Sequence, residues 1–220
     1  AGSVCATKGN QNNELGRPQH RAGRPGRHAK RHRRDGHARF APLEELCGFV
    51  RPQWGLVTNV AKATSSFWQP REHRARQSGA PRALPAGGMA FVNAANDMTP
   101  KLLEFADLDS RGVTCVFYDG TAQAAERRAT LSAADAARPG RVVRGRALDA
   151  AGCPRFALCA CGFDGMSEPV RVECALELRG MHNVSNACSA AAVGFAAGME
   201  AAQVAAALSG AKPEAGRQEV

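Results

Sequence analysis

The segment Leu178–Val220 groups the side chains best suited to holding a ligand. A Gly180-Met181-His182-Asn183-Val184-Ser185-Asn186 lead-in runs into an Ala-rich stretch, and a Gly216-Arg217 pair stands near the end. An Asn at a helix start can cap it through its side chain, leaving first-turn N–H groups to face an anionic or polar ligand. Asn183 is expected to do this. A guanidinium such as Arg217 suits phosphate oxygens, which it can bind in a fork. Three further polar pieces precede these residues in order: Thr7–Gly16 (TKGNQNNELG), Val57-Thr58-Asn59-Val60 and Val92-Asn93. Side-chain chemistry alone also allows a plainer reading, in which His-Asn only caps a helix and Gly-Arg is a solvated end.

Pattern along the chain indicates the elements that position these residues. Leu43, Leu46, Cys47 and Val50 fall at helical spacing before Pro52, and Trp54–Val60 reads as a buried strand ending in a polar loop. Met89–Asn93 is a strand after a Pro85-Ala86-Gly87-Gly88 turn, followed by a helix near Pro100–Asp107. Val113–Tyr118 is a further strand closed by an Asp119-Gly120 turn, and Arg155–Leu178 alternates as a hairpin. Asn183–Ser209 reads as two helices broken near Gly198, with a core stripe of Val184, Ala187, Ala191 and Phe195. The expected class is α/β: a mostly parallel sheet flanked by helices, with an antiparallel hairpin near 155–178.

Composition narrows the function classes. The chain has 220 residues, a formal charge of +9, 44% apolar residues and a mean hydropathy of −0.31, which fits a globular protein. No apolar run approaches the ~20 residues of a membrane span. The start at Ala1, without the zones of a secretory leader, suggests a fragment. Segments 17–41 and 61–82 hold 14 of the 29 basic residues and two of the 20 acidic ones, so the remainder, 15 against 18, is net −3. Neither segment shows apolar periodicity. A basic arm at 17–39 would bind nucleic acid nonspecifically through phosphates, although no aromatic precedes Phe40 to stack on bases. The eight cysteines form no C-x-x-C pair and read as reduced core residues, with Cys159 and Cys161 on one strand face. No metal site is read from this chain.

The ordered pieces resemble the Mur ligase family, whose members carry G-x-H-N-x-x-N-x-x-A-A where this chain has Gly180–Ala190, with Ser189 at the first Ala position, and G-R-x-E where it has Gly216–Glu219. The resemblance implies the central ATP-binding domain over 1–216, with 217–220 starting the linker to a further domain. It implies that Asn183 or Asn186 reads adenine beside His182, and that Arg217 reaches the ATP phosphates. Asn12, Asn13, Thr58 and Asn59 then face the sugar-peptide substrate. The implied reaction is ATP- and Mg²⁺-dependent joining of D-alanyl-D-alanine to UDP-N-acetylmuramoyl-tripeptide through an acyl phosphate, by a cytoplasmic monomer with no specific nucleic-acid partner. The family's G-x-x-G-K-[ST] phosphate loop is absent from the 220 residues, as are its metal-binding Glu and His and its carbamylated Lys. No catalytic residue is retained, so the chain as written is expected to be inactive. A degenerate, non-catalytic paralogue would share these features.

The missing Glu, His and Lys all belong inside the two patternless basic segments, which points to out-of-frame translation. Gly16–Gly23 (GRPQHRAG) can be encoded so that loss of one base gives G-V-P-N-T-V-L-A, and Arg33–His37 then reads V-E-M-G-M, restoring the acid motif. Ala61–Trp68 contains E-S-H-I-E-L-L in another frame, and Gln69–Arg76 contains S-R-E-N-I-A-R in the third. Resequencing the source DNA is expected to show single-base differences near codons 16–17, 39–40, 60–61, 68–69 and 77–83. An unchanged nucleotide sequence behind an expressed, soluble chain would overturn this reading.

Overall fold

A computed structural model describes residues 47–48, 50–59, 79–121 and 140–212, with side chains described for all of these except 79–80 and 140–146. Six strands form one sheet in sequence order: β1 (Trp54–Val57), β2 (Met89–Asn93), β3 (Thr114–Asp119), β4 (Gly140–Leu148), β5 (Pro154–Cys161) and β6 (Val170–Ala175). β1 to β4 run parallel, and β5 and β6 continue antiparallel. The α/β class with a hairpin near 155–178 is what the structure shows; Phe156 pairs with Cys174 and Leu158 with Val172.

β2 and β3 carry nearly unbroken apolar runs because helices cover both of their faces. On one face Ala90, Val92, Cys115 and Phe117 pack against Leu102 and Ala106 of α2 (Thr99–Ala106). On the other, Phe91, Val116, Tyr118, Phe156 and Leu158 pack against Val184, Ala187, Cys188, Ala191 and Phe195 of α3 (His182–Ala196). That stripe contains the four residues expected from sequence. Each large apolar side chain buried here contributes on the order of 1.5–3 kcal/mol. The break near Gly198 separates α3 from α4 (Ala201–Ser209), whose Glu200 and Gln203 form a reciprocal capping box.

Two elements differ from the expectation. β4 was not anticipated, because Arg141, Arg144 and Arg146 interrupt its apolar pattern. Its pairing with β5 also shifts register between Arg144 and Ala147. Irregular chain was expected through residue 82, yet Gly79–Arg82 forms one helical turn, α1, with Pro81 fully buried. The rest of the two basic segments lies outside the described residues. Of the helix expected over Phe40–Val50, Cys47, Gly48 and Val50 are described and helical.

Arg111 secures the approach to β2. Its guanidinium donates to the carbonyls of Arg82 and Leu84 (both 2.6 Å), and more loosely to Ala106 (3.3 Å) and Pro81 (3.4 Å). It thereby brings a charged donor to carbonyls at and just beyond the ends of α1 and α2, where helical backbone bonding runs out.

Sheet and helix approach closely at Gly120. A Cβ there would lie 2.5 Å from Ser185 Cα and Oγ and 2.6 Å from Ser185 N, so β3 ends directly against the first turns of α3. Gly120→Ala is expected to destabilise the fold by about 1–3 kcal/mol through this overlap. Arg111→Ala should cost about 1–3 kcal/mol, because four carbonyls, three of them in part-buried contacts, lose a charged donor. Urea unfolding checks both; a midpoint unchanged from the parent chain would refute the corresponding contact.

Candidate functional site

Parallel strands in open α/β sheets present ligands to loops beyond their carboxyl ends. Here those loops follow β1, β2 and β3, and Gly120 brings the start of α3 to the same edge. Thr58 and Asn59, expected at a substrate, directly follow β1 and are exposed. Two donors converge on the Thr58 carbonyl: the Asn93 Nδ2 at 3.0 Å and, more distantly, the Tyr118 hydroxyl at 3.4 Å. The same hydroxyl donates to the Val57 carbonyl at 2.9 Å. Asn96 Nδ2 donates to Asn59 Oδ1 at 2.6 Å, joining the rims of the β1 and β2 loops.

Asn93 and Asn96 also shape the connection from β2 to α2. Asn93 Oδ1 accepts the Ala95 N–H, Asn96 Oδ1 accepts the Met98 N–H, and the Thr99 hydroxyl donates to the Asn93 carbonyl. Such side-chain-to-backbone bonds two residues on mimic a backbone turn. Asp119 closes β3 similarly: its Oδ1 accepts the Thr121 N–H at 2.7 Å and the Thr121 hydroxyl at 2.6 Å. Its Oδ2 is buried and makes no hydrogen bond among the described residues.

At the start of α3 the expected cap is corrected. Helical structure begins at His182, one residue before Asn183, and no side chain caps it. The Asn183 and Val184 N–H groups already find the Gly180 and Met181 carbonyls. Asn183 is instead buried inside the first turn, where its Nδ2 donates back to the Arg179 carbonyl at 2.8 Å. A carbonyl can only accept, so this bond fixes the Asn183 amide and leaves Oδ1 as an acceptor, which takes Asn186 Nδ2 at 3.0 Å. The exposed Asn186 is thereby oriented with its own carbonyl oxygen left for another donor. Gly180 has a φ of +91°, and a Cβ there would come within 2.8 Å of the His182 ring, so glycine both permits the turn and makes room for the imidazole.

The structure therefore brings Thr58 and Asn59 to the same sheet edge as His182, Asn183 and Asn186. Asn12, Asn13 and Arg217 lie outside the described residues. Tyr118, Asn96 and Asp119 were not singled out as site residues, and Asn93 appeared only as part of a motif. A signal for Tyr118 was present: a hydroxyl in an apolar strand needs a buried partner. Burial, and secondarily the neighbouring Cys188 thiol, push the Tyr118 hydroxyl well above the usual phenol range, so it remains a protonated donor. Among the described residues no group of three or more His, Cys, Asp or Glu side chains could hold a metal ion. No helix among them is long and apolar enough to cross a membrane.

No family model matches the chain. Curated relatives do. The UDP-N-acetylmuramoyl-tripeptide–D-alanyl-D-alanine ligases of Mycobacterium bovis and Mycobacterium tuberculosis are each 33% identical over 221 aligned positions, covering 96% of this chain. The chain spans 36% of the length of those ligases. Two crystal structures of MurF from Acinetobacter baumannii superpose with TM-scores of 0.55, at 18% and 19% identity. They cover 78% and 80% of this chain and 32% and 33% of their own. That likeness carries the same fold, while the mycobacterial alignment runs through nearly every residue here. The chain belongs to the Mur ligase family.

Proposed function

We propose that the chain is part of an ATP-dependent ligase that joins D-alanyl-D-alanine to UDP-N-acetylmuramoyl-tripeptide in peptidoglycan precursor synthesis. The observation that carries this reading is the alignment over 96% of the chain with ligases of that name. In the proposed reaction ATP phosphorylates the tripeptide carboxylate, and the dipeptide amine displaces phosphate from the acyl phosphate, leaving ADP and phosphate. The setting is the cytoplasm and the working unit a monomer.

This chain's own residues then divide the work. Asn186, held by Asn183, presents an amide carbonyl suited to an adenine amino group, with the exposed His182 beside it. Thr58 and Asn59 face the sugar-peptide from the end of β1, their turn braced by Asn93, Asn96 and Tyr118. Asn12 and Asn13 meet the same substrate, and Arg217 approaches the phosphates. The two basic segments stand where the family carries its metal-binding Glu and His and its Lys. Out-of-frame translation of those segments explains why catalytic residues are missing while the sheet and α3 retain family structure.

The 220-residue chain should bind a fluorescent ATP analogue, and Asn186→Ala should weaken binding about tenfold, equivalent to ~1.4 kcal/mol. Equal affinity of the two chains would remove Asn186 from the nucleotide site. Supplied with ATP, UDP-N-acetylmuramoyl-tripeptide and D-alanyl-D-alanine, the chain should release no phosphate above background. A steady release dependent on all three substrates would refute the proposed loss of catalysis.

A further inference from the structure

Tyr118 is the only tyrosine in the chain and one of its largest fully buried side chains. It sits on β3 opposite Asn93 of β2, yet its hydroxyl passes across β2 to the carbonyls of Val57 (2.9 Å) and Thr58 (3.4 Å) at the end of β1. Those partners are 61 and 60 residues away in sequence. The ring belongs to the core cluster that includes Val184 and Cys188 of α3, and two residues further along the chain Gly120 presses on Ser185. Tyr118 thus touches both halves of the edge described above: the Thr58–Asn59 turn through its hydroxyl and α3 through its ring and strand.

We infer that Tyr118 is a positioning residue that holds the Thr58–Asn59 turn in register with the start of α3. This rests on the proposed assignment of that turn to the sugar-peptide and of α3 to the nucleotide. The physical argument is one of rigidity. Thr58 and Asn59 are exposed, and a turn with exposed side chains keeps one geometry only if its backbone is tied down. Asn93 and Asn96 supply ties from the exposed rim, where water competes. The Tyr118 hydroxyl supplies one from an almost fully buried side chain, so water competes less for this tie than for those at the rim. Phenylalanine would fill the same space without the tie.

The test uses the full 220-residue chain and its Tyr118→Phe variant. Hydrogen exchange should accelerate about five- to tenfold in Trp54–Asn59, the loss expected for one net hydrogen bond, with no change in Met89–Asn93. Equal rates at Trp54–Asn59, or the same acceleration in both segments, would overturn the inference, the latter by reducing Tyr118 to a packing role. Titration with UDP-N-acetylmuramoyl-tripeptide should show a loss of at least about fivefold in affinity, with the ATP analogue bound within twofold of the parent. Equal loss for both ligands would also overturn it. Should the variant fail to fold, the parent chain still decides: a slowly exchanging phenolic proton with cross-relaxation to Val57 and Thr58 supports the tie, and its absence refutes it. The exchange and phenolic-proton readouts need no ligand, so failure of either ligand to bind would count against the proposed function alone.

Discussion

The close approach of β3 to α3 at Gly120 is the constraint on which the rest of the arrangement depends. With no room for a single Cβ beside Ser185, the strand end and the first turns of the helix are locked at one separation. Everything placed by either element inherits that separation. His182, Asn183 and Asn186 come with the helix, while Tyr118, Asp119 and, through Tyr118, the end of β1 come with the strand. Packing on both faces of β2 and β3 makes the lock hard to relax, because densely filled interiors resist small displacements.

Around that contact the polar groups obey a strict ordering of donors and acceptors. The Arg179 carbonyl can only accept, so it decides the orientation of Asn183, which in turn decides that of Asn186. On the other side the carbonyls of Val57 and Thr58 impose the same discipline on Asn93 and Tyr118. Backbone geometry therefore sets these polar groups, and the exposed amides of Asn59 and Asn186 are ordered by the bonds they already make. Asp119 is the exception. One of its oxygens is satisfied by Thr121, and the other is buried with no partner among the described residues.

Much of the scaffold was legible in the sequence. The Met89–Asn93 strand, the hairpin after Arg155 and the paired helices broken near Gly198 follow from apolar periodicity and glycine punctuation, and these appear as read. β4 was not legible. Its arginines mask the alternation, and its pairing with β5 depends on a neighbour that local pattern does not name. The cap expected of Asn183 failed for a related reason: Gly180 and Met181 carbonyls take the first N–H groups, so the helix starts early and the Asn side chain turns backward.

The sequence by itself determined the family. The motif order from Thr7 to Arg217 and the charge asymmetry of the two basic segments are properties of the linear chain, and no folding is needed to read them. Tertiary structure decided which atoms face one another. The reach of Tyr118 across β2, the two donors on the Thr58 carbonyl and the orientation of Asn186 all depend on sheet register and on how α3 docks. Hydrogen-bond partners some 60 residues apart are chosen by the register of intervening strands, and local spacing carries no information about that choice.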